Sequence, residues 1–158
     1  MTSLPTPLID VDTLARVLPR AELVVVDCRF DLMAPAAGGD AWLEAHIPGA
    51  VYAHLDHDLS GPPTTDRGRH PLPPPDRLCA VFGALGIGND SFVVAYDDGG
   101  GMIAARLWWM LRYMGHEEVA VLDGGWQAWV AAGQRVAHGA ETAQRRRFNG
   151  TPRRERLV

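Results

Sequence analysis

The sequence contains no lysine; all fifteen of its basic residues are arginine. That excludes Schiff-base chemistry and any phosphate-binding loop that needs a lysine ammonium. Cysteine is nearly as scarce. Cys28 and Cys79 stand alone, which gives neither a disulfide framework nor metal-ligand spacing. No signal-like segment or membrane-length apolar run occurs, so no membrane partner is expected and a reducing cytoplasm is the expected compartment. Net charge is small, −4, but unevenly spread. Arg145, Arg146, Arg147, Arg153, Arg154 and Arg156 against Glu155 give the last fourteen residues +5, leaving −9 on the remainder. A folded surface of that sign is a poor general binder of nucleic acid.

What is present suits one globular domain: 158 residues, 47% of them hydrophobic. Leu23–Asp27 (LVVVD), Phe92–Tyr96 (FVVAY) and Val119–Asp123 (VAVLD) are short continuous apolar runs, the pattern of strands buried on both faces of a parallel sheet. Ala50–Tyr52 reads as a shorter one. Helices are expected at Val11–Leu18 with Asp10 as N-cap, at Ala41–His46 capped by Asp40, at Pro75–Leu85, at Ala104–Met114 and at Trp126–Ala132. Gly86, Gly115 and Gly133 follow three of these ends. Strands alternating with helices predict an α/β sandwich with helices on both faces. Ser60–Pro75 reads as an ordered connector without regular structure. Ligand sites in such sheets gather at the carboxyl ends of strands, where Asp27, Asp97 and Asp123 fall.

The stretch Asp97-Asp98-Gly99-Gly100-Gly101-Met102 joins an apolar strand to an apolar helix. Three glycines let several backbone N–H groups converge, and the helix adds the positive end of its dipole. That is an anion cradle, or else merely a tight connection, yet it carries two carboxylates. Arg106 sits in the first turn of the expected helix, where a cation is disfavoured, so an anion or a partner surface is expected to compensate it. Gly99–Ala104 also satisfies G-x-G-x-x-[GA], with Asp123 where a ribose-binding acid would fall. Against dinucleotide binding, Asp97 and Asp98 would crowd the pyrophosphate. Two unit charges ~4 Å apart repel by about 4 kcal/mol at an effective dielectric near 20. The alternative is that Asp97 occupies the cradle itself, its charge held by the amides as at an N-cap.

The stretches Val26-Asp27-Cys28-Arg29, His46-Ile47-Pro48-Gly49-Ala50, Gly68-Arg69-His70-Pro71-Leu72-Pro73, Ala105-Arg106-Leu107-Trp108-Trp109 and Leu122-Asp123-Gly124-Gly125-Trp126-Gln127-Ala128-Trp129 occur in this order. Together they resemble the rhodanese-like sulfurtransferases, specifically the amino-terminal domain of the tandem thiosulfate/3-mercaptopyruvate type. The resemblance covers roughly residues 8 to 140 and implies a three-layer sandwich around a five-stranded parallel sheet. In active members a cysteine ends the strand before the anion loop, takes sulfur from a donor as a persulfide and passes it to a thiol or cyanide. The resemblance puts Asp97 at that cysteine's position. It therefore implies a domain with no catalytic residue of its own, no cofactor and no metal. Its partner would be a second rhodanese domain of the same protein, and the small sulfur donor and acceptor would bind there. Arg29, Phe30 and Arg106 are then expected at the domain interface or cleft wall. Residues 1–140 form the expected domain and 141–158 a basic linker or tail leading to the second domain.

Alternatives remain beside that reading. A stand-alone module that keeps the fold and lost the chemistry is one. Cysteine phosphatase chemistry lacks its cysteine here, and aspartyl phosphoryl transfer lacks a lysine and a D-x-D spacing. Cys28 precedes Arg29, so a reactive thiolate is imaginable, but no glycine cradle follows it and a buried apolar role is the simpler reading. Cys79 is expected in the core. His46 and His70 are read as structural; His54 and His57 with Asp56 and Asp58 resemble a metal cluster but also fit a solvated loop. Trp108, Trp109, Trp126 and Trp129 are expected to pack rather than to form a stacking platform.

Overall fold

The computed structural model describes residues 7–63, 68 and 70–153. Arg69, Arg154 and Arg156, read above as part of a motif and of the basic tail, lie outside the described residues. The chain runs β1 (Leu8–Ile9), α1 (Val11–Val17), β2 (Leu23–Asp27), α2 (Ala37–Glu44), β3 (Val51–Tyr52), α3 (Pro75–Ala84), β4 (Phe92–Tyr96), α4 (Met102–Tyr113), β5 (Val119–Leu122) and α5 (Gly125–Ala131). The five strands form one parallel sheet in the order β1-β5-β4-β2-β3.

All five residues of β4 are buried, as a central strand covered on both faces requires. Its side chains alternate between two cores. Val93 and Ala95 join Leu78 and Phe82 of α3 and Leu107 and Met110 of α4 on one face. Phe92, Val94 and Tyr96 join Leu14 of α1 and Trp129 of α5 on the other. Trp108 and Trp109 pack against the first core and Trp126 against the second, as expected of packing residues. Chain order reverses between β2 and β4, so their carboxyl ends form the switch point where crevices open in such sheets.

Most element boundaries follow the apolar pattern, with four departures. β1 has only two residues, too short for any periodicity, and exists because its neighbours donate to it: Val121 N–H to the Pro7 carbonyl and Asp123 N–H to that of Ile9. Asp40 does not cap α2; the helix begins at Ala37 and runs through Gly38 and Gly39. Gly38 is required there because a Cβ would collide with the Arg29 carbonyl. α4 begins at Met102 rather than Ala104, directly after Gly101 in the left-handed conformation (φ 93°).

The fourth concerns the basic segment expected to be a linker or tail. Its described part, residues 141–153, is irregular but lies along the domain. Phe148 is 5% exposed and meets Phe82 and His116 edge-on. Arg146 N–H donates to the Gly83 carbonyl, Arg153 N–H to that of Tyr113, and Asn149 and Asn89 exchange hydrogen bonds. The described part of the Ser60–Pro75 connector holds no helix or strand before Pro75, which opens α3, as its proline and glycine content implies.

Candidate functional site

The loop between β4 and α4 closes around the side chain of Asp97, which is 2% exposed. Asp97 Oδ1 accepts from the N–H groups of Gly99 (3.0 Å) and Gly101 (2.8 Å). Its Oδ2 accepts from Ile103 (3.0 Å) and Ala104 (2.9 Å) in the first turn of α4. The carboxylate thus does from within the loop what an N-cap acid does at a helix start. Each bond to a charged acceptor contributes about 1.5–3 kcal/mol against leaving the donor unmet. The conformation needs glycine at only two of the three positions: Gly100 (φ 85°) and Gly101 (φ 93°) are left-handed, whereas Gly99 is not.

The same loop is held from behind by the turn after β5. Trp126 N–H donates to the Asp97 carbonyl (2.9 Å), and the Gln127 side chain donates to that of Asp98 (2.7 Å). Gly125 abuts the Asp97 carbonyl so closely that no Cβ fits. Gly125, Trp126 and Gln127 therefore belong to the site, although composition marks them only as a helix start. The LDGGWQAW stretch was the signal that pointed there.

Beneath the loop lies a buried polar network. Arg29 lines the cleft beside the loop, but it is only 4% exposed and its guanidinium turns inward onto Asp27 (0% exposed), Nη2 to Oδ2 2.7 Å. It also donates to the Ala45 carbonyl (2.6 Å) and lies 4.3 Å from the centroid of the Trp126 ring. Burial opposes its charge, but hydrogen bonds and the opposite charge of Asp27 outweigh that and raise its pKa. The Tyr96 hydroxyl donates to Asp27 Oδ2 (2.8 Å) and accepts from Ile47 N–H (3.2 Å); burial and then the Asp27 charge keep the phenol protonated. This network ties the HIPGA turn and the end of α2 to the carboxyl ends of β2 and β4.

Within the chain, Arg106 is compensated by backbone carbonyls. Its guanidinium donates to the carbonyls of Leu59 (2.9 Å), His70 (2.9 Å) and Pro71 (3.3 Å), so it ties the entry of the proline-rich connector to its His70-Pro71 stretch. Burial lowers its pKa. His70 pairs with Asp56 (2.8 Å), and Phe30 stands edge-on to His54 (5.1 Å) and His70 (6.5 Å). His54 stacks on His57 at 4.1 Å, and among the described residues no group of histidines, cysteines and carboxylates is arranged to hold a metal. His46 is fully buried between the Trp42 carbonyl (2.7 Å) and Glu141 (2.9 Å).

Both cysteines are free and lie outside the cradle. Cys28 is fully buried, and burial, then the charges of Asp27, Asp97 and Asp58, push its thiol well above the ordinary range. Cys79 is half-buried against the α3–α4 core. The four amides that a pyrophosphate would require already serve Asp97, so the Gly99–Ala104 match describes a self-filled cradle rather than a dinucleotide site. Asp123 is exposed beside a cavity of about 360 Å³ on the β5 side of the loop.

The model of the rhodanese-like domain matches residues 10–132. The chain belongs to the rhodanese-like domain family. It is 43% identical over 153 residues to a protein of Pseudomonas aeruginosa named as a probable 3-mercaptopyruvate sulfurtransferase, covering 96% of this chain and 54% of that one. With the 3-mercaptopyruvate sulfurtransferase of Escherichia coli it shares 31% identity over 159 residues, 95% of this chain and 53% of that one. Among solved structures, the 3-mercaptopyruvate sulfurtransferase from Leishmania major superposes with a TM-score of 0.83 at 33% identity, over 96% of this chain and 42% of that one. The rhodanese-like chain thus spans about half the length of these curated relatives. No helix among the described residues is long and apolar enough to cross a membrane.

Proposed function

We propose that this rhodanese-like chain is the non-catalytic half of a two-domain cytoplasmic sulfurtransferase. Its partner domain would carry the cysteine that takes sulfur from 3-mercaptopyruvate or thiosulfate and hands the persulfide sulfur to a thiol or to cyanide. The observation that carries this reading is the position of Asp97. A persulfide-forming site needs amides free to hold anionic sulfur, and here four such amides hold a carboxylate of the chain itself. Cys28 is fully buried with its thiol pushed up by burial, and Cys79 is half-buried on α3, away from the cradle. What the domain contributes is a rigid wall, built on Arg29, Phe30 and the loop and braced by Arg106 through the connector.

The test compares this chain with the complete natural polypeptide in the formation of thiocyanate from cyanide, with thiosulfate or 3-mercaptopyruvate as donor. The chain alone should stay at background while the complete polypeptide turns over. Thiocyanate formed by the chain alone, and lost in Cys28→Ser, would overturn the reading.

A further inference from the structure

Asp123 directly follows β5 in the LDGG stretch, and the function proposed above gives its side chain nothing to do. Its N–H serves the Ile9 carbonyl, but its exposed carboxylate makes no hydrogen bond or ion pair among the described residues. It lines the cavity of about 360 Å³ on the β5 side of the loop, at the carboxyl ends of β1, β5 and β4. Pockets that hold small ligands run from roughly 300 to 1,000 Å³.

The chemistry of the lining is one-sided. Leu8, Val121 and Leu122 give an apolar wall. Gly100 and Gly101 give a wall of bare backbone, since a Cβ on either would meet nothing within 4 Å. The polar side chains are Asp97, Asp123 and Gln127, with no arginine or histidine among the described lining residues. Asp97 is spent on its loop amides. Gln127 gives its NH2 to the Asp98 carbonyl (2.7 Å), which leaves its Oε1 as an acceptor. An anion therefore finds no cationic side chain in the cavity. A hard metal ion finds a single unpaired carboxylate, far fewer oxygens than such ions take.

From this we infer that the cavity is a binding site for a small organic ammonium ion, a primary amine whose apolar body lies against Leu8, Val121 and Leu122 while its NH3+ group donates to Asp123 and to Gln127 Oε1. An ammonium group only donates, and the free polar atoms of these side chains only accept. An alcohol of the same shape lacks the charge that Asp123 selects, and a carboxylate meets it as a like charge. The inference does not rest on the two-domain reading above.

The test titrates benzylammonium into the 15N-labelled full chain and follows the amide signals by NMR. Those of Gly100, Gly101 and Gly124 should shift and saturate, with a Kd on the order of 1 mM. Benzyl alcohol and benzoate should each bind at least about fivefold more weakly. Asp123→Asn should weaken benzylammonium about fivefold, the upper range for one partly exposed ion pair. Nα-acetyl-lysine methylamide, the amine as a protein would present it, should also bind weakly, because its polar backbone does not suit an apolar wall. No saturable shift at these glycines, equal binding of the alcohol, or an unchanged affinity in folded Asp123→Asn overturns the inference. Equal binding of the lysine amide overturns the assignment to a small molecule. Where Asp123→Asn does not fold, as its amide spectrum shows, the comparison of ammonium, alcohol and benzoate on the parent chain decides alone.

Discussion

Asp97 Oδ2 lies 2.9 Å from the amide nitrogen of Ala104, so a residue at the end of a strand caps a helix that starts five residues later. Its other oxygen holds Gly99 and Gly101, and the loop is folded around one carboxylate.

Removing the charge should therefore cost more than its position in a loop suggests. Asp97→Asn turns an NH2 group toward backbone donors and should destabilise the fold by about 1–3 kcal/mol in urea unfolding. Asp97→Cys should leave the amides facing a thiol whose pKa falls into the range of about 3.5–7.5 known for thiols at helix N-termini. Rapid alkylation near pH 6 at position 97, with Cys28 and Cys79 slow, is the expected outcome. A slow thiol at 97 would mean that the amides do not stabilise an anion.

Two loop glycines and Gly125 behind them should respond differently to alanine. Gly99 is not left-handed and an added Cβ meets open space, so Gly99→Ala should stay within about 0.5 kcal/mol of the parent. Gly101→Ala should cost about 1–2 kcal/mol through its left-handed backbone alone. Gly125→Ala, at φ 61° and against the Asp97 carbonyl, should cost the most of the three. Thermal unfolding of the three variants checks the order.

Residues 141–153 should behave as part of the domain. Phe148→Ala should cost about 3–5 kcal/mol, the usual loss for emptying a buried phenylalanine site. Exposed Arg147→Ala should be close to neutral. Equal, small effects in denaturant would return the segment to the status of a loose tail.

These contrasts show which features composition reveals and which only packing reveals. The runs LVVVD, FVVAY and VAVLD announced a parallel sheet because strands covered on both faces must be apolar throughout. The place of Asp97 in its cradle was also readable, since glycines, a helix start and a carboxylate have few ways to satisfy one another. The anchoring of Arg106 was not, because its acceptors are backbone carbonyls 35 to 47 residues away, which no sequence pattern encodes. Nor was the turn inward of Arg29, which depends on α2 and the HIPGA turn closing over it. Residues 141–153 read as a linker because their arginines dominate the composition, while a single phenylalanine makes the contact that decides their place.

Acid stability should carry the mark of His116. Burial lowers its pKa from the ordinary 6.5; its Nε2 faces the Ser91 carbonyl (2.9 Å), with Phe148 against the ring and Glu117 and Glu118 nearby. The native state resists protonation while the unfolded chain accepts it, so stability is full above 6.5 and falls as pH drops below it, until the native ring also protonates. His116→Gln, which keeps a donor for Ser91, should show a smaller loss of urea resistance between about pH 7.5 and 5.5 than the parent. An unchanged loss would assign the acid sensitivity elsewhere.

The central claim is that Asp97 leaves this domain without a site for sulfur. Intact-mass measurement of the purified chain after incubation with thiosulfate or 3-mercaptopyruvate tests it most directly. An unchanged mass is expected; a gain of one sulfur atom that cyanide removes, mapped to Cys28 or Cys79, would overturn the proposal.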